Sequence, residues 1–327
     1  MVVAGCGGAA SALEPRGPRA AEIASLWWLM LALASIVYVV VVAILAHGLF
    51  RRRRAERPGQ DAARLPMGRG ERTGRLGLAY LTTAGIGLPA VVVLVVMVRT
   101  IQAMGAIAEP PAPARVAIDI TGFQYWWMVR YPDQDATTAN EIHIPVGEPV
   151  QLNLSSVDVI HSFWVPQLMG KMDVIPGRTN TTWIQASEPG AYYGECAEYC
   201  GLQHARMAFL VIADPRQQFA AWLTNEQQPA AEPTDPAALA GLQAIMRPSC
   251  IGCHTIRGTP AAGRLGPDLT HIGNRRAIAA GTLPNNRGTL AGWIADPQHI
   301  KPGNLMPDLG VDLETANAIA AYLELLK

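Results

Sequence analysis

The stretch Cys196-Ala-Glu-Tyr-Cys-Gly-Leu-Gln-His-Ala-Arg-Met207 decides the fold of the domain that carries it. It places two cysteines four residues apart, a histidine four residues later and a methionine three residues beyond that. A disulfide is the simpler interpretation of a cysteine pair in a secreted chain, but it explains neither His204 nor Met207. Thiolate, imidazole and thioether groups form a soft ligand set that suits copper, and two thiolates can bridge two metal ions. The loop therefore predicts a copper site, with a further imidazole supplied by the upstream segment Asp158-Val-Ile-His161.

Both segments resemble the binuclear CuA loop and the upstream ligand segment in subunit II of cytochrome c oxidase. The resemblance covers most of the chain from Ile23 to Asp214. It implies that two cysteines bridge both coppers, that His161 and Met207 complete one copper, and that His204 and a backbone carbonyl complete the other. The implied copper ligands are His161, Cys196, the carbonyl of Glu198, Cys200, His204 and Met207. The side chain of Glu198 is further implied to reach a magnesium ion at the interface with the catalytic subunit.

The length of 327 residues predicts two or three domains. Lysine plus arginine and aspartate plus glutamate both number 26, so no basic surplus favours nucleic acid as a partner. Half of the residues are hydrophobic, as expected for membrane spans beside soluble domains. The five cysteines are Cys6, alone near the N-terminus, and two close pairs, Cys196/Cys200 and Cys250/Cys253.

Residues 1–22 are predicted to form an extracytoplasmic N-terminal arm, because they are rich in Gly, Ala, Pro and Arg. Val3-Ala-Gly-Cys6 has the small residues that precede a lipidated cysteine in bacterial lipoproteins. Only five residues precede Cys6, so the apolar run of a signal sequence is missing. Two interpretations stay open: Cys6 is lipidated and the start is assigned too far downstream, or Cys6 is a free thiol in a flexible arm.

A transmembrane hairpin is predicted over residues 23–100. The runs Ile23–Phe50 and Leu76–Val98 contain no Asp, Glu, Lys or Arg, and each is long enough to cross a bilayer as a helix. The arginine-rich segment Arg51–Arg75 joins them, and the positive-inside rule places it in the cytoplasm. A buried core helix is disfavoured by these arginine clusters. The chain is therefore predicted to be a multi-pass protein of the bacterial inner membrane, with its soluble domains on the periplasmic side.

Residues 114–224 are predicted to form a β domain. Val116-Ala-Ile-Asp-Ile120 and Val150-Gln-Leu-Asn-Leu154 alternate apolar and other residues, which favours strands. Pro-Gly breaks such as Pro176-Gly177 and Pro189-Gly190 separate several short runs of this kind, a pattern typical of a sandwich or barrel. The family resemblance implies that this domain is a cupredoxin sandwich with its metal ligands on loops at one end.

The aromatic cluster Gly122-Phe-Gln-Tyr-Trp-Trp127 follows one of the predicted strands. In the family that the chain resembles, a tryptophan in this cluster accepts electrons from soluble cytochrome c. The matching position here is Tyr125, followed by Trp126, and both are candidates for receiving electrons. Core packing is the alternative role for such rings. A donor tethered to the chain would need less surface recognition, which fits the altered position.

A second redox domain is predicted over residues 237–327, after a flexible linker of residues 225–236 that is rich in Gln, Pro, Ala and Glu. Ser249-Cys-Ile-Gly-Cys-His254 has the Cys-x-x-Cys-His pattern of covalent haem c attachment. Cys250 and Cys253 would bond the haem vinyl groups, and His254 would bind the iron. A thioredoxin-like pair is the alternative, but it leaves the histidine unexplained.

The predicted distal haem ligand is Met306, in the setting Asn304-Leu-Met-Pro307. His271 and His299 are rival distal ligands in weaker sequence settings. The Pro267 carbonyl is expected to accept a hydrogen bond from His254 and to fix its ring. Helices are predicted over residues 236–246, 289–295 and 313–326.

The whole chain resembles a bacterial cytochrome c oxidase subunit II with a C-terminal cytochrome c fusion. The implied fold is a multi-domain membrane protein with a two-helix transmembrane hairpin, an all-β cupredoxin sandwich and an all-α cytochrome c domain. The implied role is that of an electron-transfer subunit, without the catalytic centre, in a proton-translocating oxidase. Electrons would pass from haem c to CuA and then to the subunit that reduces oxygen to water. The implied partners are catalytic subunit I, subunit III, the membrane, and cytochrome c or another donor.

Two other functions stay open. A CuA subunit of a nitric oxide or nitrous oxide reductase can share the Cys-x3-Cys-x3-His-x2-Met loop, although the preceding hairpin favours the oxidase. A membrane-anchored copper carrier or redox sensor would instead be stable by itself, exchange its copper and have no partner subunit.

Overall fold

The computed structural model describes residues 8, 10–55, 74, 77–80 and 82–327. It divides into two compact units, one formed by Glu22–Ala108 and the other by Glu109–Lys327 with the N-terminal segment up to Ala21. Cys6, the candidate for lipidation, and most of the predicted cytoplasmic segment lie outside the described residues.

The first unit contains two helices that are long and apolar enough to cross a membrane, spanning Pro18–Arg51 and Gly77–Ala108. Helix α1 covers Pro18–Ala55, and a π-helical turn at Thr83–Gly87 leads into helix α2, Leu88–Ala108. Large apolar side chains stay exposed along both helices, which suits a lipid environment. Helix α1 starts inside the predicted arm, because the fixed φ of a proline suits the first turn of a helix.

The N-terminal arm is anchored to the second unit through backbone and side-chain bonds. The Arg16 N–H donates to the Gln167 carbonyl, and the Ser187 N–H donates to the Arg16 carbonyl, both at 2.7 Å. The guanidinium of Arg19 is buried, donates to the Trp183 carbonyl and lies 5.2 Å from the centre of the indole ring. The arm is therefore held against the β domain along part of its length.

The β domain is a sandwich of two five-stranded sheets, as predicted. The strands are β1 Val116–Phe123, β2 Trp126–Tyr131, β3 Ala136–Ala139, β4 Glu141–Pro145, β5 Val150–Ser156, β6 His161–Trp164, β7 Met172–Val174, β8 Asn180–Ile184, β9 Gly190–Cys196 and β10 Ala208–Asp214. One sheet has the order β3-β2-β1-β5-β8 and the other β4-β10-β9-β6-β7. The β1/β5 and β4/β10 pairs are parallel, and the others are antiparallel.

Alternation along the strands builds the sandwich core. In β5, Val150, Leu152 and Leu154 are fully buried, and the polar residues between them lie on the other face. Trp127 is also fully buried and meets Phe163 and other aromatic rings edge-on. Burying one such large side chain contributes roughly 1.5–3 kcal/mol to folding, so these rings fix the end of the sandwich that carries the metal loop.

Helices dominate the C-terminal region, as predicted. They are α3 Arg216–Glu226, α4 Pro236–Ile245, α5 Pro248–Ile251, α6 Arg287–Ala295, α7 Pro297–Ile300 and α8 Leu313–Leu325. Side chains cap four of them: Asp235 caps α4, Asn286 caps α6, Asp296 caps α7 and Asp312 caps α8. A short ribbon of β11, Ala277–Ile278, and β12, Leu283–Pro284, adds to the predicted all-α domain. Helix α3 extends into the first residues of the predicted linker.

Helices α4 and α8 pack closely at Gly241. A side-chain carbon at this position would overlap the backbone oxygen of Ala318 and would meet Tyr322 at 2.9 Å. Glycine therefore allows the two helix backbones to approach each other closely.

Candidate functional site

The predicted copper ligands converge at one end of the sandwich. Strand β9 ends at Cys196, β6 begins at His161, and the loop between β9 and β10 carries the remaining donors. The ligand atoms of His161, Cys196 and Cys200 all lie within 4.8 Å of one another. The two Sγ atoms are 3.9 Å apart, well beyond the roughly 2.05 Å of a disulfide bond, and both thiols are free. The pair is therefore open to bridging metal ions.

The other predicted donors close the set around the two thiols. Cys200 Sγ lies 3.7 Å from His204 Nδ1 and 3.8 Å from Met207 Sδ. Cys196 Sγ lies 3.2 Å from the Glu198 carbonyl oxygen and 3.9 Å from His161 Nδ1. Sulfur, nitrogen and oxygen donors of this type and spacing fit a pair of copper ions.

Asp158 orients the imidazole of His161. Its Oδ1 lies 2.9 Å from His161 Nε2, which leaves Nδ1 directed at Cys196. Burial disfavours the charged ring, but hydrogen bonds with Cys196 and Asp158 outweigh burial and raise the pKa of His161. Hydrogen bonding with the Cys200 thiol lowers the pKa of Cys196 well below that of a free thiol. Metal binding would displace the remaining protons, because metals bind thiolates and neutral imidazoles.

Trp127 and Gly122 contact the residues that are predicted to bind copper. Trp127 Nε1 donates to the Met207 carbonyl at 3.3 Å, and the indole meets the His161 ring edge-on at 5.8 Å. A side-chain carbon at Gly122 would lie only 2.9 Å from His161 Cδ2, so the imidazole occupies space that a larger residue would take. These contacts hold the predicted ligands in fixed orientations.

The haem-attachment motif lines a cavity of about 620 Å³. Cys250, Cys253 and His254 all face it. The Nδ1 of His254 lies 2.8 Å from the Pro267 carbonyl, as predicted, which leaves Nε2 free to bind iron. Burial lowers the pKa of His254 and keeps its ring neutral. A side-chain carbon at Gly266 would lie 2.6 Å from His254 Cε1, so a glycine permits this close approach.

Met306 lines the same cavity, on a loop held by polar contacts. Gln298 Nε2 donates to the Met306 carbonyl at 2.7 Å, and the Met306 N–H donates to Asn304 Oδ1 at 2.8 Å. Among the described residues, the cavity wall includes neither of the rival histidines. His271 is instead bonded to two backbone carbonyls, and His299 is exposed. The largely apolar wall of the cavity, with Cys250, Cys253, His254 and Met306 in it, fits a covalently bound haem.

Tyr125 and Trp126 lie where the haem cavity approaches the copper loop. Both line the cavity, and Trp126 stacks on Phe123 at 4.5 Å. The Tyr125 hydroxyl accepts from the Leu202 N–H at 3.0 Å, inside the copper loop. The neighbouring Gln124 Nε2 donates to the Cys200 carbonyl at 2.6 Å. Sequence reasoning selected the two aromatic residues but missed Gln124, because no ligand or motif pattern marks a glutamine.

Lys301 is a second residue that sequence reasoning missed. It is only 2% exposed, it lines the haem cavity, and its ammonium group donates to the Tyr125 carbonyl at 2.9 Å. A lysine in a loop is most often solvated, so no sequence signal distinguishes this one. Lys301, in the cytochrome domain, is bonded to the β domain through this contact.

Comparisons with known proteins match both domains. The family model "Cytochrome C oxidase subunit II, periplasmic domain" matches residues 136–214, and "Cytochrome c" matches residues 239–327. Cytochrome c oxidase subunit 2 of Alkalihalophilus pseudofirmus is 39% identical over 323 residues, covering 97% of this chain and 91% of that protein. The subunit 2 of Bacillus sp. PS3 is 37% identical, covering 73% and 72%. The periplasmic domain of subunit II of cytochrome oxidase of Bradyrhizobium japonicum is 32% identical with a TM-score of 0.35, covering 36% of this chain and 96% of that structure.

Proposed function

This chain belongs to the cytochrome c oxidase subunit 2 family, and from that premise we propose that it passes electrons from its own haem c to a binuclear CuA centre. From there they would pass to catalytic subunit I, which reduces oxygen to water with proton pumping. The observation that carries the proposal is the position of one segment, Phe123–Trp126. It lines the cavity of the haem-attachment motif and is hydrogen-bonded to the copper loop.

The copper ligands are the residues that the family resemblance implied: His161, Cys196, the Glu198 carbonyl, Cys200, His204 and Met207. When bound, the copper pair and the haem each supply a one-electron carrier. Both cysteines, His161 and Met207 are buried, so the protein excludes water from most of the site. Strands β6, β9 and β10 anchor the loop on both sides, which supports a site that hardly moves between redox states.

His254 and Met306 would bind the haem iron, and the thiols of Cys250 and Cys253 would form the thioether bonds. Histidine–methionine ligation would raise the haem potential relative to ligation by two histidines or a thiolate. The bond from His254 to the Pro267 carbonyl fixes the ring that holds the iron. The carbonyl and N–H contacts of Met306 hold the opposite ligand in the loop.

The segment that contains Gln124 and Tyr125 would connect the haem cavity to the copper loop for electron transfer. Gln124 bonds the Cys200 carbonyl and Tyr125 bonds the Leu202 N–H, so the segment offers a short bonded path into the copper loop. Trp126 lies on the cavity side, stacked on Phe123. This path supports electron acceptance at Tyr125 and Trp126 from the attached haem, with cytochrome c or another donor reducing that haem.

The two apolar helices suit a multi-pass subunit of the bacterial inner membrane, and the arginine-rich segment between them favours placing both soluble domains on the periplasmic side. The side chain of Glu198, within the copper loop, is exposed and is suited to bind a magnesium ion at the surface of subunit I. Subunit III would complete the complex.

Electron paramagnetic resonance of the full copper-loaded chain tests the copper assignment. We expect the hyperfine pattern of one electron shared by two coppers. Cys200→Ser should abolish that pattern, because it removes one bridging thiolate. Cys253→Ser is the matched control: it should weaken covalent haem attachment and leave the copper pattern unchanged. A single-copper spectrum from the unmutated chain would refute the binuclear site.

A further inference from the structure

Lys301 is a buried lysine at the boundary between the β domain and the cytochrome domain. Its Nζ donates to the Tyr125 carbonyl of the sandwich at 2.9 Å and to the Ala279 carbonyl of the cytochrome domain at 3.0 Å. Burying an ammonium group is unfavourable unless hydrogen bonds replace its water. Each domain supplies one of these acceptors, so the site is complete only when the domains are in contact.

The residues beside Lys301 also contact the copper loop. Gln203 Nε2 donates to the Pro302 carbonyl at 2.7 Å, and Arg206 Nη1 donates to the Ile300 carbonyl at 2.6 Å. Leu202 lies against Gly303, where a side-chain carbon would meet it at 3.0 Å. The end of helix α7 and the residues that follow it therefore contact the copper loop at Ile300, Pro302 and Gly303.

A backbone bond marks the same contact independently. The Ala208 N–H, at the start of β10, donates to the Ala280 carbonyl of the cytochrome domain at 3.1 Å. Trp126, Ala139 and Ala280 form a small buried apolar cluster beside it. The contact thus combines a charged anchor, a backbone bond and apolar packing, as in a fixed interface.

We propose that Lys301 is a positioning residue for haem-to-copper electron transfer, which holds the haem cavity against the Gln124–Tyr125 segment by joining carbonyls of both domains. The inference rests on the proposed function above. Electron tunnelling slows steeply with distance. A fixed contact that keeps the two centres close therefore gives a faster transfer than a flexible tether. Burial lowers the pKa of Lys301 to about 7, which agrees with the desolvated position that the contacts show.

The test measures two quantities on the full chain loaded with haem and copper. The first is the rate of electron equilibration from haem to copper after rapid photoreduction of the haem. The second is hydrogen exchange at the Ala208 amide, which reports domain contact without any electron transfer. Lys301→Met keeps the aliphatic stem and removes the ammonium group. We expect slower transfer, and about tenfold faster exchange at Ala208, because loss of one charge-assisted bond shifts the opening equilibrium of the contact by about that factor.

Controls separate this inference from the function on which it rests. Lys327→Met alters an exposed lysine of the same domain and should match the unmutated chain. The potentials and spectra of both centres are measured in every variant, so that a change in driving force is not mistaken for a change in position. If the unmutated chain transfers no electron from haem to copper, the proposed function fails. If it does and Lys301→Met transfers at the same rate, the positioning role is overturned.

Two further variants keep the result decisive. Should Lys301→Met fail to bind haem or copper, Lys301→Gln retains one donor group, and an intermediate transfer rate is expected. A rate equal to that of the unmutated chain would again overturn the role. A Gly-Ser insertion between Glu232 and Pro233 lengthens the linker, and it should slow transfer in Lys301→Met but not in the unmutated chain. If the insertion alone slows transfer as much as Lys301→Met, linker length sets the position and Lys301 does not.

Discussion

Buried carboxyl groups lie where helix α3 meets the cytochrome domain. Glu226, the last residue of α3, is 3% exposed. Burial raises its pKa from an ordinary 4.5 to about 7, although Arg275 and Arg257 oppose the rise. Between these two pH values the folded chain holds a proton that the unfolded chain has lost.

The contribution of Glu226 to the free energy of unfolding should therefore fall as pH rises from 4.5 to 7, and level off above that range. Glu226→Gln cannot titrate and should remove this dependence. The unfolding free energy of Glu226→Gln minus that of the unmutated chain should increase by roughly 3 kcal/mol as pH rises from 4 to 8. Urea unfolding followed by circular dichroism at several pH values measures the difference. Glu232→Gln, at an exposed linker position, should show none of it. Parallel pH profiles for Glu226→Gln and the unmutated chain would contradict the assignment.

Residues with strong chemical preferences could be predicted from the sequence alone. Cysteine, histidine and methionine at fixed spacing predicted both donor sets, and the fold brings each set together. Gln124 and Lys301 could not be predicted, because their roles come from backbone carbonyls that lie far away in sequence. A carbonyl exists at every position, so no residue type marks it as an acceptor.

At the level of secondary structure, the approach of α4 to α8 gives a direct test. Gly241→Ala should destabilise the cytochrome domain by about 1–3 kcal/mol, because the added methyl group meets the backbone of α8. Gly292→Ala, in helix α6, is the matched control, since no atom lies within 4 Å of the added carbon. It should stabilise the domain by up to about 1 kcal/mol through helix propensity. Thermal unfolding followed by haem absorbance measures both. A stabilising Gly241→Ala would show that the helices are free to separate.

Helix positions were predicted closely, because prolines and polar caps mark their starts. Helices α4, α6 and α8 begin within two residues of the predicted positions. The β11/β12 ribbon was not predicted, since two-residue strands have no periodicity to detect. The order of strands within each sheet also lay beyond the sequence, because pairing across the sandwich joins segments that are distant in the chain.

On the scale of the whole molecule, the two soluble domains should unfold together. The contacts that join them are extensive: Arg275 donates to Thr138, and the Arg276 N–H donates to Glu141, across more than 130 residues of sequence. The sequence predicts a tethered domain, but no pattern in it indicates a polar interface between such distant residues.

Copper should therefore stabilise the cytochrome domain as well as its own. At about a hundredfold excess over its dissociation constant, a bound metal adds about 2.7 kcal/mol to the stability of the folded state. We expect copper to raise the midpoint of unfolding equally when it is followed by haem absorbance and by tryptophan fluorescence. Cys200→Ser should abolish both shifts. A shift seen by fluorescence alone would mean that the domains unfold independently.

The carboxylate of Asp158 has a consequence for how this protein can change during evolution. One oxygen bonds the His161 ring and the other bonds the Gln124 N–H at 2.6 Å. The copper ligand and the aromatic segment thus share one acceptor, and a shift in either backbone disturbs the other. The rings of Tyr125 and Trp126 are not part of this link. Selection should therefore hold the main chain of this segment in place, because a shift there would also move the His161 ring.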